Sequence, residues 1–167
     1  MKELPEENGK IIIKPSKKAD TRSAFGLVTK KELLKDTESH ISDVQRVSKL
    51  IADLLVQQCL QHDHTKIEYL DDFYRDFSSG KTGAMFKDMG WFQKHLTERH
   101  HLNDRCPEDV DLIDVLEMVI DCTVAGLART GEVFPITISP DILQKAVDNT
   151  SKLIIDSVEV EDEDKII

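Results

Sequence analysis

Six histidines lie within residues 40–101. His62 and Asp63 form a doublet, His95 stands alone, and His100 and His101 form a second doublet. Imidazole nitrogens and carboxylate oxygens are donors that Mn, Fe, Co, Ni and Zn all accept, with geometry selecting among them. Downstream, Asp114, Glu117 and Asp121 recur at helical spacing and therefore share one helix face. The segment around them is apolar almost all round, which marks it as buried. A buried carboxylate is costly unless it is paired or ligates a metal. The competing reading makes this stripe the solvent face of an amphipathic helix. Five histidines together with the stripe favour a metal site.

His40 poses a separate problem. A continuous helix from His40 to His62 separates the two by about 33 Å at roughly 1.5 Å per residue. No Gly or Pro interrupts that stretch. For His40 to be a ligand, the chain must turn near Lys49 to Asp53. Without that turn it is a partly exposed histidine near a helix start.

The order of these residues resembles the HD superfamily of metal-dependent phosphohydrolases. The likeness rests on His40, the doublet His62-Asp63 followed by Lys66 (HD-x-x-K), His95, His100-His101 and the late Asp121. Residues 37–126 are similar to a group of small phage and bacterial HD-like helical proteins. These carry a histidine upstream of HD-x-S-K, a histidine cluster ending in a doublet, and a Glu-Met-x-x-Asp motif. Glu117-Met118-Val119-Ile120-Asp121 fits that motif, and Thr65 stands where the group has serine. The resemblance implies that His40, His62, Asp63 and Asp121 hold one metal, with a chain turn between His40 and His62. It implies that Asp63 bridges to a second metal held by His95 and His100 or His101. The cofactor is then one or two divalent transition metals: Mn, Fe, Ni, Co or Zn.

The expected reaction is hydrolysis of a small phosphorylated substrate, a nucleotide above all. Two metals acidify a water and clamp the attacking and leaving oxygens. Lys66 offsets charge growing on the phosphoryl group. Glu117, one turn before Asp121, orients a ligand histidine. Arg99 is expected to contact substrate phosphate, with Arg105 and Arg129 as further candidates, because an arginine fork matches phosphate oxygens. No GYP motif follows His101, which sets the chain apart from the cyclic-di-GMP phosphodiesterases. Cys122 replaces the tryptophan of the small group. Two other functions fit the same residues. Four His and two Asp (His40, His62, Asp63, His95, His101, Asp121) match HD-type di-iron oxygenases, and a metal could instead fix a non-catalytic helical interaction module. A phage origin, and so a host cytoplasm, belongs to the same resemblance.

The chain that must position these residues has 167 of them, near the usual size of one domain. Hydrophobic residues are 40% and charged residues 32%, a globular balance. The net charge of −10 argues against long nucleic acids, which demand many Lys and Arg. It does not bar a small phosphorylated molecule, because bound cations would sit where the phosphate lands. Three cysteines without a CxxC pair suit neither a disulfide framework nor a zinc ribbon, and fit a reducing compartment. No signal peptide and no apolar run long enough for a membrane span are present, so the expectation is a cytoplasmic protein without membrane partners. A homodimer is compatible with helical domains of this kind, although no heptad stretch decides it.

The pattern predicts an all-α fold: a single HD-domain-like helical domain of about five or six helices with a short extended N-terminal arm. Residues 1–28 form the basic arm, 29–156 the helical domain and 157–167 an acidic tail. Ile11-Ile12-Ile13 could make one strand, but a loosely ordered arm is the simpler expectation. A capping box at Thr29 to Glu32 opens a long helix. A second box at Thr65 to Glu68 opens an aromatic helix carrying Leu70, Phe73, Tyr74 and Phe77, with Asp71, Asp72 and Asp76 on its solvated face. Met85 to His101 reads as mostly helical. The acidic stripe lies on a helix from Pro107 to Arg129, started by Cys106-Pro107-Glu108-Asp109. Ser139-Pro140 caps the last helix, and the tail from Asp156 is expected to fray. Gly80-Lys81-Thr82 lacks the upstream glycine and strand of a phosphate-binding loop.

Overall fold

The computed structural model describes residues 9–15 and 28–161. The described chain is mostly helical, as its pattern requires. Helices are α1 (Lys30–Cys59), α2 (His64–Glu68), α3 (Leu70–Phe77), α4 (Ala84–Lys87), α5 (Gly90–His95), α6 (Leu112–Thr130) and α7 (Pro140–Ser157). Of these, α4 is a single turn. Strands β1 (Ile11–Ile13) and β2 (Val158–Val160) complete the order. No helix among the described residues is long and apolar enough to cross a membrane.

Contacts divide the chain into two units, one comprising residues up to Leu54 and from Ser151 onward, the other Leu55–Thr150. The division falls inside α1 and α7. In the first unit, Thr29 and Glu32 make the expected capping box. The Thr29 N–H donates to Glu32 at 2.8 Å and the Glu32 N–H to Thr29 Oγ1 at 3.2 Å. Ile11–Ile13 is a strand, paired in parallel with Val158–Val160 in the register Ile11↔Val158 and Ile13↔Val160. Arg46 of α1 donates to the Ile12 carbonyl at 2.7 Å. The arm is thus ordered over these residues. The tail is helix to Ser157 and strand to Val160, where fraying was expected. The remainder of the arm and tail lies outside the described residues.

The second unit contains a core of Leu102, Val110, Met118 and Ala146, with Val115, Ile136 and Ile142 packed against it. An aromatic stack joins α3 to α5: the rings of Phe73 and Trp91 lie 4.0 Å apart, and Trp91 stacks on His95 at 5.0 Å. Asp76 is buried and accepts the Trp91 backbone N–H at 3.0 Å, so it does not belong to a solvated face. Accepting that N–H at the first turn of α5 satisfies a donor that the helix itself leaves open.

Two helix starts differ from the pattern. Thr65 lies inside α2, buried, and spends its hydroxyl on His95 and Glu98 instead of capping. The acidic-stripe helix begins at Leu112, not Pro107. Asp111 caps it by accepting from the Ile113 and Asp114 N–H groups, and the Asp114 side chain accepts from the Asp111 N–H at 3.0 Å. This reciprocal box satisfies the open N–H groups of the first turn better than the Cys106-Pro107 sequence can.

Candidate metal centre

The site is built wholly within Leu55–Thr150 by four pieces of chain. After Cys59 the helix stops, and Asp63 adopts the left-handed conformation at φ 58°. Aspartate is among the few side chains that tolerate it. This turn presents His62 and Asp63. The end of α5 supplies His95, the following turns supply Glu98, His100 and His101, and α6 supplies Glu117 and Asp121.

Their reactive atoms converge. His62 Nε2 lies 3.5 Å from Asp63 Oδ2 and 3.4 Å from Asp121 Oδ1. On the other side of the same carboxylate, Asp63 Oδ1 lies 3.5 Å from His95 Nε2 and 3.9 Å from His100 Nε2. His95 Nε2 and His101 Nε2 approach to 2.9 Å. Among the described residues, three overlapping sets have ligand atoms mutually close enough to hold an ion: His95, His100 and His101; His62, His100 and Asp121; and Asp63, Glu98 and His100. The group could therefore hold a metal ion, and its donors fit one. Opposing nitrogens and oxygens aim at shared points where a cation would relieve their crowding.

The far sides of the His62 and His95 rings are also held, whereas His100 Nδ1 is buried near a carboxylate without a hydrogen bond. Glu117 Oε1 lies 3.0 Å from His62 Nδ1 and 3.3 Å from His100 Nδ1. His95 Nδ1 lies 2.8 Å from Thr65 Oγ1 and 3.4 Å from Glu98 Oε1. Glu98 also accepts the Asp63 N–H at 2.7 Å and the Thr65 N–H at 3.0 Å. A carboxylate behind Nδ1 leaves Nε2 as the free lone pair, the arrangement found behind metal-bound histidines.

Electrostatics follow the geometry. Burial pushes the Glu117 carboxyl up, but His100, Gln58 and His62 outweigh it and bring the pKa down to about 2. Burial likewise opposes ionisation of Glu98, and His95 and Thr65 hold its pKa well below the carboxylate range. Burial favours neutral His100, yet Glu117, Glu98 and Asp121 raise its pKa. His101 is lowered to about 4 by burial and by the neighbouring His100 and His95. A neutral His101 is the form that can ligate.

The structure brings His62, Asp63, His95, His100, His101 and Asp121 together, with Glu117 behind two of the rings. It does not bring in His40. Helix α1 runs unbroken through Lys49 to Asp53, so the turn His40 needs is not made, and His40 is exposed. Lys66 forms a salt bridge with Asp63 Oδ2. Arg99 is not available to a substrate as expected. Its guanidinium forks onto Asp114 at 2.7 and 2.8 Å and reaches Asp109 at 3.1 Å. It thereby neutralises a fully buried carboxylate.

A cavity of about 600 Å3 opens beside the centre, with Asp63, His95, His100, His101 and Asp121 among its lining. Lys66, Arg129, Phe77, Phe86, Phe92 and Phe134 also line it. Of the three arginines considered from sequence, Arg129 is the one that faces this space.

Gln58, Glu98 and the hydroxyl of Thr65 escaped the sequence reading. Glu98 had a signal, since it stands three residues after His95 and three before His101 on a helical spacing. Gln58 had none, because an amide on a helix is common. No family model, curated protein or solved structure matches this chain.

Proposed function

We propose that the chain is an HD-type metal-dependent phosphohydrolase, acting on a small phosphorylated substrate of nucleotide kind. The observation that carries the reading is the two-sided use of Asp63. One of its oxygens faces His62 and the other faces His95 and His100, within 3.5 to 3.9 Å. A carboxylate shared in this way suits two adjacent cations. His62, Asp63 and Asp121 would hold one, and Asp63, His95 and His101 the other, with His100 between them. The donors suit Mn, Fe, Co, Ni or Zn.

Bound divalent ions would supply Lewis acidity and a nucleophile at neutral pH. The chain's own residues do the rest. Glu117 and the Thr65–Glu98 pair keep protons on Nδ1 of His62 and of His95, so their Nε2 atoms stay donors to metal. Lys66 lies at the cavity wall beside Asp63, placed to meet negative charge on a phosphoryl group. Phe77 and Phe134 are largely exposed at the cavity, where a planar group can stack on them. Arg129 offers a guanidinium to an anionic group of the same substrate.

The test is metal analysis of purified protein, then a panel of nucleotides and phosphoesters with Mn, Ni, Mg and Zn added in turn. Asp63→Ala is expected to lose metal and activity together. Full activity in that variant overturns the reading. A second reading, an HD-type di-iron oxygenase, is favoured by the donor count. The converging set of His62, His95, His100, His101, Asp63 and Asp121 has four histidines and two aspartates. Iron content with O2-dependent turnover would select it, and anaerobic activity with Mn would remove it.

A further inference from the structure

Two carboxylates, Asp114 and Glu117, are buried one helical turn apart on α6. Gln58, in the last turn of α1, stands between them. Its Nε2 lies 2.8 Å from Asp114 Oδ1 and 2.5 Å from Glu117 Oε2. Both partners are acceptors only, so the amide orientation is fixed: the NH2 group must face them. The consequence is that Gln58 Oε1 is buried without a hydrogen-bond partner. Native proteins rarely leave such an oxygen unpaired, and where they do the arrangement calls for a reason.

The reason lies in how Glu117 divides its oxygens. Oε1 faces Nδ1 of both His62 and His100, and Oε2 is held by Gln58. Without Gln58, Oε2 has no donor on this side and the carboxylate is free to rotate away from the rings. A lysine or arginine at 58 would tie the carboxylate by charge and weaken its hold on the imidazoles. A glutamate there would add a third buried negative group. An amide does neither. Arg99 meanwhile neutralises Asp114, so Gln58 links the two carboxylates without carrying charge.

We propose that Gln58 is a positioning residue of the metal centre: through Glu117 it holds the imidazole of His62 with Nε2 turned toward the metal. This rests on the metal-centre reading above and is independent of the reaction catalysed. Substitution of a residue behind a metal-bound histidine commonly weakens metal affinity 10- to 100-fold.

The test uses the full chain and the variant Gln58→Met, which keeps length and loses the donors. Gln57→Met, on the exposed neighbouring position, is the control. Two quantities are read: Co2+ affinity by chelator competition, and the histidine tautomers of metal-free protein by 15N NMR. Gln58→Met is expected to lose about tenfold in Co2+ affinity and to show mixed tautomers at His62, while Gln57→Met matches wild type. Unchanged affinity and unchanged tautomers overturn the proposal, even if the melting temperature falls. If Gln58→Met does not fold, Gln58→Asn, one methylene too short to reach both carboxylates, is read the same way. If wild type binds no Co2+, the metal reading fails, and the tautomer measurement still decides whether Gln58 orients the His62 ring. If metal binds but no phosphoester is cleaved, only the proposed reaction fails.

Discussion

Asp63 meets two demands at once, one of backbone and one of charge. It holds a positive φ that most side chains avoid, and it presents both oxygens to different histidines. Asparagine shares the tolerance for that backbone and lacks the charge. Asp63→Asn is therefore expected to lose metal while keeping the fold. Asp63→Ala should lose metal and be less stable by about 1 kcal/mol more, because alanine in the left-handed region is strained. Both variants lose the Lys66 salt bridge, so comparing their urea midpoints without metal isolates the backbone effect. A pH dependence follows from the centre as well. Glu117 titrates at about 2 in the folded chain against 4.5 ordinarily. Its contribution to stability is present above 4.5 and lost as pH falls through 2. His101 is held at about 4 against 6.5, so stability also falls between those values as the unfolded chain takes up a proton first. The raised His100 acts in the opposite sense, favouring the fold below 6.5 and losing that as pH rises. In urea titrations of metal-free protein, the gap between wild type and Glu117→Gln should be widest between 4.5 and 6.5, narrow at higher pH as His100 loses its proton, and shrink toward 2. The histidine doublets were legible in the sequence because ligand types at such density are rare. Gln58 was not, because only three-dimensional placement shows that its amide spans two carboxylates. His40 stayed open between ligand and exposed helix histidine because a histidine's presence does not reveal whether its helix bends.

Helix α6 is turned opposite to the usual surface helix. Asp114, Glu117 and Met118 face inward, and Leu116, Ile120, Val124 and Leu127 are exposed. Its period was readable from the sequence, but the stripe alone left the buried face open, since a carboxylate stripe ordinarily points to water, and the histidines were what favoured burial. The inversion is held by the partners of the stripe: Arg99 on Asp114, and two histidines and Gln58 on Glu117. Its start was misplaced for a related reason. Pro107 and Asp109 form a plausible opening, but Asp111 and Asp114 form the stronger one. Asp111→Ala should cost roughly 1 kcal/mol or somewhat more in urea denaturation, the usual loss of a cap. At the other end, a Cβ on Gly126 would lie 2.7 Å from the Glu132 carbonyl oxygen, a backbone atom. Gly126→Ala is thus expected to displace the segment after α6 that carries Phe134. The checks are a lower melting temperature and altered binding of any aromatic ligand, with metal affinity retained.

The composition of the whole molecule indicated a globular protein of acidic charge, and the periodic pattern a helical one; the described chain is mostly helical. The −10 formal charge is concentrated in part at buried carboxylates around the centre, where a cation would reduce it. Metal should therefore act as a folding ligand. At a free concentration 100 times its dissociation constant it would add about 2.7 kcal/mol. Added Mn2+ or Zn2+ should raise the melting temperature and a chelator should reverse it, with no response in Asp63→Asn. Strand β1 was one of two readings of Ile11–Ile13 and β2 was unforeseen, because three isoleucines become a strand only with a partner, and that partner, Val158–Val160, lies almost the whole chain away. This pairing also orders events in time. Leu55–Thr150 is one continuous stretch and can begin to fold as soon as it leaves the ribosome, whereas β1 waits for β2. At synthesis rates of about 5 to 20 residues per second, that wait is roughly 7 to 30 seconds. The stretch that carries the candidate metal centre is then exposed to ions before β1 has joined β2.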